Sequence, residues 1–90
     1  MPPVAKLSER ERFEAAAKLE ATRPDAALAI YTELGRGQGA WAANAAYAAA
    51  RLELERGNET SAKHLLQRYA TRFPNGQNIE DVRRLLDRLR

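Results

Sequence analysis

The 90-residue chain has no cysteine, a single histidine, and no apolar run near the ~20 residues that a membrane-spanning helix requires. Without cysteine neither a disulfide framework nor a thiolate metal site can form, although the redox compartment stays open because cysteine-free chains work everywhere. With one histidine, metal donors would have to be carboxylates, and these are spread along solvated faces, so no metal or cofactor site is expected. β-Branched residues are too sparse to suggest strands. The start, Met1 to Ala5, is apolar but lacks the long h-region of a secretory peptide, so no targeting signal is expected. A lost anchor in a longer protein, and the choice between cytoplasm and periplasm, stay open. The formal net charge is +3 and twelve of the fifteen basic residues are Arg, yet acidic residues interleave with them almost everywhere. That pattern reads as a solvated helix surface rather than a nucleic-acid footprint.

What the chain has in excess is alanine, 18 residues of it, surrounded by Leu, Glu and Arg. These are strong helix formers, and small side chains let helix axes approach closely. A domain this short buries only about 60 to 65% of its unfolded surface, so about five helices is near the limit. One helix face occurs twice: Ala27, Ile30, Tyr31 and Leu34 return 35 residues later as Ala62, Leu65, Leu66 and Tyr69. Each set stands at i, i+3, i+4 and i+7, the period of a buried helical stripe. A period in the mid-thirties points to stacked helix pairs, each burying its stripe against a neighbour.

Local signals divide residues 1–90 into a single domain with helices at about 8–21, 24–34, 40–56, 59–73 and 78–89. Ser8 and Glu11 form an S-x-x-E capping box at the first start. Thr22 is placed to cap the second helix, and Pro24 fits its first turn. Gly35, Gly37 and Gly39 are expected to stop that helix in positive-φ backbone. The third helix is apolar on two sides, through Trp41, Ala45, Ala48 and Leu52 and through Ala43, Tyr47, Ala50 and Leu54, which predicts a sandwiched element. Trp41, Tyr47 and Leu54 are divided between core and open surface. Gly57 ends the third helix, Pro74 to Gly76 end the fourth, and Asn78 is placed to cap the last.

Gly57, Ala62 and Pro74 stand in a G-x4-A-x11-P spacing that resembles the tetratricopeptide repeat. Ala50 falls where that family has another small residue, and Glu53 where it usually has a buried aromatic. The first copy keeps Ala27 and Tyr31 in register, with Thr22 and Gly39 in place of the Gly and Pro. The run from Arg68 to Gly76 is also similar to divergent repeats of bacterial cell-envelope proteins, such as Tol-Pal-associated periplasmic factors and outer-membrane assembly lipoproteins. The resemblance implies an all-α, right-handed α-solenoid of about two hairpins plus a C-terminal capping helix. It implies a noncatalytic scaffold that binds a protein or peptide on its concave face.

Matching the family's inner positions gives Glu9, Arg12, Ala16 and Glu20 on the first helix and Asn44, Tyr47, Arg51 and Glu55 on the third. The expected partner-binding residues are Arg12, Glu20, Asn44, Tyr47, Arg51 and Glu55. A mixed-charge groove with an aromatic suits a peptide, the ring giving area and Arg giving directed hydrogen bonds. No catalytic residue is assigned, because no acid, base and nucleophile converge and His64 points away from the core stripe. The glycine-rich Gly35 to Gly39 follows a helix rather than a strand and reads as a connector. The rival reading is a self-associating structural domain, a homodimer, of a larger bacterial cell-envelope or regulatory protein. Nucleic-acid binding through Arg68, Arg72, Arg83, Arg84, Arg88 and Arg90 is disfavoured by Glu80, Asp81 and Asp87 and by the lack of interleaved aromatics.

Overall fold

The structure, a computed structural model, describes residues 7–90. Met1 to Ala5, where no secretory signal was expected, lie outside the described residues. The described chain is all α: α1 (Glu9–Leu19), α2 (Pro24–Gly35), α3 (Ala42–Glu55), α4 (Glu59–Arg72) and α5 (Ile79–Arg88), with no strand among these residues. Each helix packs chiefly on its neighbours in sequence. The result is a slab of 42 × 27 × 14 Å.

The repeated stripe accounts for the layering. Ala27, Tyr31 and Leu34 are buried with Ile30 half-buried, and Ala62, Leu66 and Tyr69 are buried with Leu65 half-buried. The two copies therefore share one burial pattern, position for position. Ala27 and Ala62 are both 0% exposed, which is what a helix crossing needs from a residue without side-chain bulk. α3 lies between the copies. Its Ala45, Ala49 and Leu52 enter a first core with Ala16, Ala27, Tyr31 and Leu34. Its Ala50 enters a second core with Leu66, Tyr69 and Val82, flanked by Ala43, Tyr47 and Leu54.

Helix ends are set by several devices. Ser8 Oγ accepts the Glu11 amide at 3.1 Å while the Glu11 carboxylate accepts the Ser8 amide at 3.0 Å, so both bonds of the capping box are made. Those contacts, the backbone bond foremost and the Ser8 hydroxyl second, hold the Glu11 carboxyl below its ordinary 4.5. Its stabilising effect is therefore present above the unfolded value and is lost as pH falls through the lowered folded one. Ser8→Ala is expected to cost about 1 kcal/mol in urea melts at neutral pH. In Glu11→Gln the stability deficit should narrow as the pH is taken below 4.5.

At the end of α3 the Asn58 amide donates to Glu53 O at 2.9 Å and the Gly57 amide to Leu54 O at 3.0 Å. Gly57 stands at φ 81°, the left-handed conformation this double bond requires and glycine adopts without a Cβ clash. Glu53, only 7% exposed, receives the Asn58 amide group at 3.1 Å and lies 3.5 Å from the Arg56 guanidinium. A buried carboxylate thus replaces apolar bulk by fastening the α3–α4 turn.

Three expectations need correction. Gly35, Gly37 and Gly39 do not adopt positive φ; Gly57 is the one glycine among the described residues that does. Gly35 instead ends α2 as a buried residue, and a β-carbon there would stand 3.2 Å from the Cα and N of Ala46. The missing side chain lets α2 and α3 approach. Thr22 does not cap α2: Arg23 occupies the N-cap without a side-chain bond, and Pro24 removes one orphan amide itself. Asn78 does occupy the N-cap of α5, but its side chain makes no capping bond. Its backbone amide donates to the Tyr69 hydroxyl oxygen at 3.1 Å instead.

Candidate functional site

Two adjoining grooves run along the face to which α1, α3 and α5 contribute. One, of about 320 Å³, lies between α1 and α3 and is bordered by Phe13, Ala17 and Glu20 on one side and Asn44, Ala48 and Arg51 on the other. The second, of about 530 Å³, lies between α3 and α5 and is bordered by Leu54 and Glu59 opposite Asp81, Leu85 and Arg88. Tyr47, Arg51 and Glu55 border both. They form the ridge between the grooves because positions 47, 51 and 55 repeat at one helical turn.

Five of the six expected partner-binding residues, Glu20, Asn44, Tyr47, Arg51 and Glu55, therefore meet at the first groove. Arg12 does not border it. Arg12 is half-buried, and its Nε is sealed from solvent with no hydrogen-bond partner among the described residues. The α1 register is also turned from the expected one. Ala16 is fully buried in the first core, and the residues that face the groove are Phe13, Ala17 and Glu20, spaced i, i+4 and i+7. Glu9 lies beside the loop before α3, its carboxylate in the space a Gly39 side chain would need.

Several of the groove residues already have internal duties. The Tyr31 hydroxyl donates to Glu20 Oε2 at 2.5 Å, tying α2 to α1. Burial first, then the hydrogen bond and charge of Glu20, push the Tyr31 phenol well above its ordinary 10.0. The Tyr47 hydroxyl donates to Asp81 Oδ2 on α5, and Arg84 lies 3.5 Å from the other oxygen of the same carboxylate. The Tyr47 ring meets Tyr69 edge-on at 6.3 Å between centroids. Arg51 reaches Glu55 at 3.3 Å and stands 5.9 Å from the Tyr47 ring centre. Trp41 packs inward on Phe13, centroids 5.2 Å apart, and Phe13 on Tyr31 at 5.3 Å. Leu54 joins the second core's margin while bordering the α3–α5 groove.

Other faces carry hollows as well: one of about 340 Å³ along α4 at His64, Arg68 and Arg72, and one of about 500 Å³ between α4 and α5 at Lys63, Gln67, Arg83 and Asp87, both bordered mainly by polar side chains. A hollow of about 40 Å³ is lined by residues that include Tyr31, Gly35, Ala49, Leu65 and Tyr69. That is space for about three waters. Arg72, one of the basic residues weighed for phosphate contact, donates to the carbonyls of Gly35 and Gly37, the latter at 2.9 Å. It thereby satisfies the carbonyl end of α2, where a cation is favourable. Arg84 and Arg90 sit beside Asp81 and Asp87, at 3.5 and 3.2 Å. His64 is exposed, as its place off the stripe implies. Among the described residues no group of three His, Asp or Glu could hold a metal ion, and no helix is long and apolar enough to cross a membrane.

Phe13, Ala17, Asn78 and Asp81 were absent from the expected site. The first two share a helical face with Glu20, a signal present in the sequence; Asp81 arrives through its bond to Tyr47, 34 residues away, and Asn78 borders the groove from the start of α5, placements that periodicity does not encode. Compared with models of protein families, with curated proteins and with solved structures, the chain matches none.

Proposed function

We propose that this chain is a noncatalytic protein-interaction module of tetratricopeptide-like build, a right-handed stack of two helical hairpins and a closing helix. It holds a polypeptide segment in the grooves beside α3. The observation that carries the reading is the convergence of Glu20, Asn44, Tyr47, Arg51 and Glu55 on one groove. The matched burial of the two stripes and the sequential packing of the helices support the repeat architecture. Apolar area from Tyr47, Ala48 and Leu54 beside polar side chains is the usual composition of a peptide-binding surface.

The reading is tested with dodecapeptides selected from a random display library on the immobilised chain. Amide chemical shifts in α1, α3 and α5 should move on titration. Ala17→Trp, which fills the groove mouth from an exposed position, and Asn44→Ala should each weaken binding by about tenfold, near 1.4 kcal/mol, with unchanged circular dichroism. Unaltered affinity in both variants, together with loss of binding in Arg68→Glu on the opposite wall, would overturn it.

A further inference from the structure

Charge on the groove differs in sign from charge on the chain. Glu20, Glu55, Glu59 and Asp81 border the two grooves against Arg51 and Arg88, while the whole chain carries a formal net charge of +3. Two of the carboxylates already have a cation beside them: Arg51 lies 3.3 Å from Glu55 and over the Tyr47 ring, and Arg84, outside the groove lining, lies 3.5 Å from Asp81. Glu59 stands exposed in the first turn of α4, with no ion pair within 4.0 Å among the described residues. Between the carboxylates the lining is apolar or aromatic: Ala17, Tyr47, Ala48, Leu54 and Leu85. The side-chain amides of Asn44 and Asn78 border the first groove and make no hydrogen bond among the described residues. An amide offers a donor and an acceptor together, which is what the main chain of an extended segment needs.

Resting on the groove reading above, we propose that the occupant is an extended, cationic segment of another polypeptide. It carries Arg or Lys side chains toward Glu55 and Glu59 and places an apolar side chain over Tyr47 and Leu54. Charge complementarity selects this partner over an acidic one, which would bring like charges against four carboxylates. The paired state of Arg51 makes the proposal directional. Arg51 competes with an incoming cation for Glu55, so its removal must strengthen a cationic ligand and weaken an acidic one.

The selected dodecapeptides provide the test. Their sequences should be enriched in Arg and Lys, and affinity should fall as salt rises from 50 to 300 mM, about 14 to 6 Å in screening length. Glu55→Gln and Glu59→Gln together should weaken binding by about five- to tenfold, and Arg51→Gln should tighten it by about threefold. These three side chains are exposed, and unchanged melting points show that the fold is intact. Peptides that shift α1, α3 and α5 amides but are neutral or acidic overturn the charge assignment alone, as does weaker binding in Arg51→Gln. Selected peptides that shift only α2 and α4 amides, or a library that yields no binder, overturn the groove reading with it.

Discussion

Leu66→Ala is expected to remove about 3 kcal/mol and to lower the calorimetric melting midpoint by about 15 °C. Leu66 is fully buried on α4, at the centre of the second core with Ala50, Tyr69 and Val82. The loss has two parts, transfer of the side chain and the cavity that remains. The cavity part is large here because α3 presents alanine at this layer, and an alanine has no side chain that can swing into the gap. A chain of this size has only about 5 to 10 kcal/mol in total, so the change removes a large share of it. Leu65, next in sequence but half-buried, supplies the control. Leu65 packs on the margins of both cores, and its alanine variant should lose less than Leu66→Ala because part of the side chain is already in water. A loss under about 1 kcal/mol in Leu66→Ala would mean that this side chain is not enclosed as the structure has it.

The five helices and their buried faces were largely legible because that information is periodic and local. Ala27 and Ala62 head two stripes whose spacing names the buried face, and Ser8 with Glu11, or Gly57 alone, act within one turn of chain. The α3 wall of the candidate groove was legible for the same reason: Asn44, Tyr47, Arg51 and Glu55 share a face on a helix that is apolar on two sides. α1 was harder. Ala15, Ala16 and Ala17 are adjacent and alike, each about 100° further round the helix, so composition does not say which one turns inward. The structure buries Ala16 and leaves Ala17 on the groove, and the same rotation takes Arg12 off the groove border.

The remaining differences are long-range polar contacts. Tyr31 to Glu20, Tyr47 to Asp81 and Arg72 to Gly35 join residues 11, 34 and 37 apart, and a tyrosine in a stripe gives no hint of where its hydroxyl finds an acceptor. The glycine-rich connector misled for a related reason. Glycine serves either a backbone conformation or a close approach, and the sequence does not distinguish them. Gly57 serves the first and Gly35 the second. In both tyrosine bonds the acceptor is a carboxylate that borders a groove, so the internal bonding that holds the helices also fixes charge on the candidate surface.

That coupling is strongest at Tyr47, and it predicts a local rather than a global failure. α5 packs mainly on α4; it shares the second core with α3 through Val82 and Ala50, and its polar tie to α3 is the Tyr47 hydroxyl on Asp81. Tyr47→Ala deletes that bond, the edge-on contact with Tyr69 and half-buried ring area, a loss of about 2 to 3 kcal/mol. Because α5 ends the described chain and has one principal neighbour, the loss should appear as opening of α5 before the rest unfolds. Amide exchange at Leu85 and Leu86 is expected to accelerate by about 30-fold, equivalent to about 2 kcal/mol, while amides of α1 and α2 keep their protection under mild conditions. Tyr47→Phe separates the hydroxyl from the ring. It retains the aromatic contact and leaves Asp81 beside Arg84, so its effect should be near 1 kcal/mol and exchange in α5 should rise by less than tenfold. If exchange rises equally in all five helices of Tyr47→Ala, α5 is not a separate opening unit and the hydroxyl–carboxylate bond is one contact among many. If it rises in α5 alone, the second groove is bounded by a helix whose attachment depends on a groove residue, and a ligand seated between α3 and α5 would stabilise both.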